Sequence, residues 1–134
     1  MSPRRKNPDL PLPATQTRSQ ETVERLLSAA EDALSGEGVD GATLRAIADR
    51  AGVSLAIVYR RFADKDSVLR AVYMRFFERV RAANAASLAR ARGRRTRPPA
   101  AIATELVAGM IAGYRANRNL IRALLLYART HEDA

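Results

Sequence analysis

Thr43, Ser54 and Tyr59 carry hydroxyls and Arg45, Arg60, Arg61 and Lys65 carry cations, all within residues 43–65. A hydroxyl can donate to a phosphate oxygen, and a lysine offers a phosphate a point charge. A guanidinium adds a planar fork that matches two acceptors at once, on a phosphate or on the edge of a guanine. The side chains of covalent and metal chemistry are scarce by contrast. The chain has no cysteine and a single histidine, His131. That removes disulfides, thiolate metal sites and cysteine nucleophiles, and leaves a Ser-His-Asp relay or a histidine metal cluster at most one imidazole. His131 reads as a solvated tail residue. No catalytic residue, cofactor or metal is expected, and the chain is not read as an enzyme.

The charge balance points the same way. Lys plus Arg number 23 against 14 Asp plus Glu, giving +9 and a pI near 11.1, so a polyanion is the first partner to consider. The excess is uneven. Residues 63–97 hold most of it, and Arg90, Arg92, Arg94, Arg95 and Arg97 crowd one stretch, while residues 19–62 are slightly acidic. Only Lys6 and Lys65 are lysines, so the arginine run reads first as a solvated loop between helices. Charges interrupt every apolar stretch before it reaches membrane-spanning length, and no apolar segment follows the basic N-terminus, which excludes a secretory signal. A cytoplasmic protein with no membrane partner is expected.

The elements that would position these side chains are all helical. Residues 1–17 contain four prolines and no apolar period, and read as a flexible basic tail. A first helix over 18–35 shows Val23, Leu26, Leu27, Ala30 and Leu34 at helical spacing. Thr17 and Gln20 have capping-box spacing at its start, Gly36 is its stop, and Glu21, Glu24, Glu31 and Asp32 form its solvent face. Thr43 caps a second helix with Leu44, Ile47, Ala48 and Ala51 on one stripe, ended by Gly52. Ser54 caps a third over 55–62, with Val58 and Phe62 inward. Asp64 caps a fourth over 65–90, with Val68, Leu69, Val72, Tyr73, Phe76 and Val80 as its stripe. Beyond Pro98 and Pro99 a fifth carries Ile102, Leu106, Met110 and Tyr114, with Gly109 and Gly113 allowing close packing. Asn117 to Asn119 should break it, and a last helix over 120–130 is so apolar that it demands burial all round, by a second subunit or by further chain.

Residues 43–62 thus read as helix, short glycine turn, helix. This is the helix-turn-helix that lays its second helix in a DNA major groove, although an ordinary αα-hairpin has the same outline. In this stretch the sequence resembles the TetR family of transcriptional regulators. The resemblance rests on the GVD-x-A-T entry after the first helix and the IA-x-x-AGVS run at Ile47 to Ser54. Tyr59 and Phe62 at their spacing and the D-K-D opening of the fourth helix complete it.

The resemblance implies an all-α fold: a three-helix DNA-binding domain over 18–80, joined by a long fourth helix to a helical regulatory domain that begins over 81–134 and is incomplete here. It implies phosphate contacts from Thr43, Ser54, Tyr59, Arg61 and Lys65, and base reading by Arg45, Arg60 and the first turn of the third helix, Leu55, Ala56 and Ile57. Two departures matter. Arg61 stands where many relatives have histidine, and the reading turn Leu55-Ala56-Ile57 has no hydrogen-bonding side chain, so it can meet thymine methyls only. Specificity is then expected from Arg45, Arg60 and DNA shape. The function implied is a repressor that binds a palindromic double-stranded DNA operator as a homodimer and is released by a small-molecule effector. The alternatives are a helical interaction module or truncated non-inducible fragment whose apolar last helix binds a partner, and a peripheral membrane binder.

Overall fold

The computed structural model describes residues 14–93 and 97–131, and their secondary structure is five helices. They are α1 (Ala14–Gly41), α2 (Leu44–Ala51), α3 (Leu55–Arg61), α4 (Lys65–Gly93) and α5 (Pro99–His131). The expected all-α class holds.

α1 buries Leu26, Leu27, Ala30 and Leu34, the expected stripe, together with Ala29 and Ala33. Its ends differ from expectation. The helix begins at Ala14, so Thr17 lies inside it and residues 14–17 are not tail; residues 1–13 lie outside the described residues. Neither Thr17 nor its neighbours break a helix, and the last of the four prolines, Pro13, stands just ahead of the start, where proline is tolerated. Gly36 does not end the helix either. The interruption comes at Gly38 (φ 73°, ψ −171°), a backbone setting that only glycine adopts at low cost, and a short helical piece follows the kink.

α2, α3 and the head of α4 are set by their caps. Thr43 Oγ1 accepts from the Ala46 N–H at 3.1 Å and Ser54 Oγ from that of Ile57 at 3.4 Å. Gly52 sits in the left-handed region (φ 66°, ψ 36°). There its N–H reaches Asp49 O at 3.2 Å and the Val53 N–H reaches Ala48 O at 3.1 Å, the paired bonds of a Schellman end. Asp64 and Ser67 cap α4 reciprocally: the Ser67 N–H donates to Asp64 Oδ1 at 2.8 Å and the Asp64 N–H to Ser67 Oγ at 3.2 Å.

One core joins all five helices. Leu26, Ala30 and Leu34 of α1 share it with Ile47 and Ala48 of α2, Val58 of α3, Val68, Leu69, Val72 and Phe76 of α4, and Leu120, Ala123, Leu124 and Tyr127 of α5. Past Phe76 the burial stops. Val80, expected on the buried stripe, is 38% exposed, because it lines a cleft of about 850 Å³ between α4 and α5.

α5 corrects three expectations. It runs unbroken through Asn117–Asn119. Asn117 Nδ2 donates to Gly113 O at 2.9 Å, one turn back, and the buried segment behind it outweighs a propensity penalty below about 1 kcal/mol per residue. The Ile102–Tyr114 stripe is not core: Met110 is 63% exposed, and it faces the cleft with Tyr114. Gly109 and Gly113 have no neighbour within reach of an added Cβ, so no close packing uses them. Finally, the last apolar stretch is buried on one face only. Leu120, Ala123, Leu124 and Tyr127 pack inward, while Leu125 and Leu126 are 51% and 52% exposed.

The arginine run is also resolved in part. Arg90 and Arg92 belong to the last turn of α4, where cations suit the helix end. Arg97 pairs with Glu105, and Arg94 and Arg95 lie outside the described residues. No described helix is long and apolar enough to cross a membrane, and no group of His, Cys, Asp and Glu among the described residues could hold a metal.

Candidate nucleic-acid interface

The α2–turn–α3 unit is fixed from behind. Val58 is fully buried, and Leu55 and Phe62 pack against the same core, so one face of α3 is committed inward. At 100° per residue the opposite face carries Ala56, Ile57 and Arg60, with Tyr59 and Arg61 at its flanks. Ala56, Tyr59, Arg60 and Arg61 are exposed, while Ile57 and Leu55 are half-buried. Leu55 therefore serves the core more than the reading surface. Arg45 is exposed on the first turn of α2.

Thr43 and Ser54 are both exposed at helix N-termini, where free N–H groups gather and anions are favoured. Each hydroxyl oxygen accepts from its own helix, which leaves the O–H free to donate outward. Arg45, Arg60 and Arg61 have no acidic partner among the described residues, whereas Arg50, Arg70, Arg75, Arg79, Arg81 and Arg97 are ion-paired. Lys65 is placed differently. It is half-buried, and its ammonium donates to the Val39 carbonyl just past the α1 kink. The structure thus gathers Thr43, Arg45, Ser54, Ala56, Ile57, Tyr59, Arg60 and Arg61 on the α2–α3 unit, and ties Lys65 to α1.

Sequence reasoning missed the residues that hold this unit in place. Arg25 Nη2, on α1, donates to the Ala51 carbonyl at 2.6 Å and so secures the end of α2 beside the turn. Arg50 pairs with Glu37. Glu24 and Glu31, read as a solvent face, both pair with α4; Glu24 stays exposed, while Glu31 is half-buried. Arg79 Nη2 lies 2.9 Å from Glu31 Oε2, and Arg75 reaches Glu24 Oε2 at 3.4 Å and Glu31 Oε1 at 3.6 Å. Their spacing was the available signal: acids seven apart on one helix match arginines four apart on another. At the head of α4, the backbone and hydroxyl bonds from Ser67 hold the Asp64 carboxyl below its ordinary pKa.

Residues 26–72 match the model of the family described as bacterial regulatory proteins, tetR family. No curated protein matches the chain. The matched span runs from the first core leucine of α1 to Val72 in the buried half of α4, and so takes in the whole α2–turn–α3 unit and its support. Residues 26–72 therefore match, in sequence and in fold, the DNA-binding helix-turn-helix domain of tetR-family transcription regulators.

Proposed function

We propose that this regulator is a repressor that binds a palindromic operator as a homodimer, with α3 of each subunit in successive major grooves. The observation that carries the reading is the outward face of α3: Ala56, Ile57 and Arg60 flanked by Tyr59 and Arg61, beside the two helix N-termini at Thr43 and Ser54. In this reading Arg45 and Arg60 read base edges, Ala56 and Ile57 with the rim of Leu55 meet thymine methyls, and Thr43, Ser54, Tyr59 and Arg61 hold phosphates. Lys65 adds a phosphate contact through the ammonium protons that Val39 does not take. Residues 18–80 form the DNA-binding unit and 81–134 the regulatory part.

The cleft between α4 and α5 suits a small-molecule effector. Its volume falls within the range of ligand sites, and Val80, Leu106, Met110 and Tyr114 give it an apolar lining with Arg79 and Arg90 among its walls. A cytoplasmic site of action follows from the DNA partner. Hydroxyl-radical footprinting of the full chain on a bound sequence tests the reading. Two protected half-sites about one helical turn apart, lost together in Arg60→Ala, are expected. Uniform weak protection along any duplex would refute it.

A further inference from the structure

Among the described residues, the core is aliphatic and phenyl apart from a single polar side-chain atom, the hydroxyl of Tyr127. That hydroxyl donates to Asp66 Oδ1 at 2.9 Å, joining α5 to the first turn of α4 across 61 residues of chain. The other carboxylate oxygen, Asp66 Oδ2, takes Arg70 Nη2 at 3.1 Å. Three consecutive residues therefore tie the head of α4 in three directions. Asp64 binds its own first turn, Lys65 binds α1 at Val39, and Asp66 binds α5 at Tyr127.

The place of this bond matters more than its strength. α3 ends at Arg61, and only the corner 62–64 separates it from α4. Val68, Leu69 and Val72 belong to the same core as Leu120 and Leu124 of α5, but apolar packing is non-directional and tolerates small slides of one helix along another. A hydrogen bond does not, because it weakens steeply outside a narrow distance and angle. A phenylalanine would fill the same space, so the hydroxyl adds direction rather than volume. Burial first, then the bond to Asp66, raises the Tyr127 pKa, so the phenol keeps its donor proton well above neutral pH.

We infer that Tyr127 is a positioning residue for base reading, whose bond to Asp66 fixes the head of α4 and through it the setting of α3. This rests on the reading of α3 as the recognition helix. Base-edge contacts need that setting to within tenths of an ångström, whereas the phosphate attraction that governs nonspecific binding does not.

The test is a titration of the full chain with two duplexes of equal length at one salt concentration, a selected binding site and its scrambled counterpart. Tyr127→Phe should keep its helicity and its affinity for the scrambled duplex, while its affinity for the selected site falls roughly three- to tenfold. Asp66→Asn keeps an acceptor for the phenol and should retain the wild-type ratio of the two affinities. Combining Tyr127→Phe with Asp66→Ala should be no worse than Asp66→Ala alone. If Tyr127→Phe loses helicity, Asp66→Ala breaks the same bond from its half-exposed side and gives the same ratio test. An unchanged ratio in the variant that breaks the bond, or an equal fall for both duplexes, overturns the inference. A wild-type chain that binds both duplexes alike removes the reading of α3, and the inference with it. That outcome is distinct from a discriminating wild type whose Tyr127→Phe variant discriminates equally well.

Discussion

Arg45 and Tyr59 represent two kinds of contact that substitutions separate. Arg45 is exposed on α2 and lies off its buried face of Ile47, Ala48 and Ala51, so Arg45→Ala should leave thermal unfolding unchanged. It should cost about 1–3 kcal/mol at the base pair it reads and relax preference there, as site selection on the variant would show. An identical consensus from that variant would remove Arg45 from the readers. Tyr59 and Arg61 flank the outward face of α3 as proposed phosphate contacts. Arg61→Ala should therefore weaken specific and nonspecific DNA alike and reduce the slope of log affinity against log salt by about one per subunit. A shift in site preference at constant nonspecific affinity would place Arg61 among the base readers instead. The exposure of Arg45, Arg60 and Arg61 was legible in the sequence, because all three lie off the apolar stripes of their helices. Lys65 shows the limit. Its charge is evident from the sequence, but its bond to the Val39 carbonyl depends on a kink at Gly38 that local spacing does not reveal.

From α2 to the head of α4 the elements were legible from the local chemistry of their caps, whereas Thr17 and Gly36 of α1 act as neither cap nor stop. Thr43, Gly52, Ser54 and Asp64 act at the positions their types suggest, and Gly52 carries a measurable cost of replacement. An added Cβ there would meet only Arg25 Nη2 at 3.5 Å, an ordinary contact, so the penalty of Gly52→Ala is the left-handed backbone at φ 66°. That substitution should destabilise by about 1–2 kcal/mol in urea unfolding without changing the denaturant slope. The Asp64 cap adds a pH dependence. Its folded pKa is depressed by the bonds from Ser67, so its stabilising effect is present above the unfolded value and is lost as pH falls through the folded one. The stability difference between wild type and Asp64→Asn should accordingly narrow below about pH 4, the ordinary carboxylate range, and stay constant near neutrality. Elements were misread where tertiary packing decides. α5 continues through Asn117–Asn119 because Leu120, Ala123 and Leu124 lie in the core. Met110 and Tyr114 look like core in the sequence and line an open cleft in the fold, since a helical stripe does not say whether a partner helix meets it.

At the scale of the whole molecule, apolar side chains among the described residues are exposed in the α4–α5 cleft, with Val80, Met110 and Tyr114, and near the end of α5, with Leu125 and Leu126. Contiguous exposed apolar area of this kind marks binding surfaces on soluble proteins, and the homodimer proposed above would cover part of it. Sedimentation of the wild-type chain should then show a discrete dimer, and Leu125→Glu should shift it toward monomer and weaken operator binding in parallel. A sharp monomer with full operator affinity would separate DNA binding from association. The proposed function requires that α3, set on its core by Val58 and followed by the capped head of α4, recognise DNA sequence rather than DNA charge alone. Selection of bound sites from random duplexes with the full chain measures that. A consensus of two symmetric half-sites about one helical turn apart, degraded at defined positions by Arg45→Ala and Arg60→Ala, is the expected result. Binding without enrichment of any sequence, falling with salt and insensitive to both substitutions beyond the loss of charge, would show that the helix-turn-helix here holds DNA without reading it.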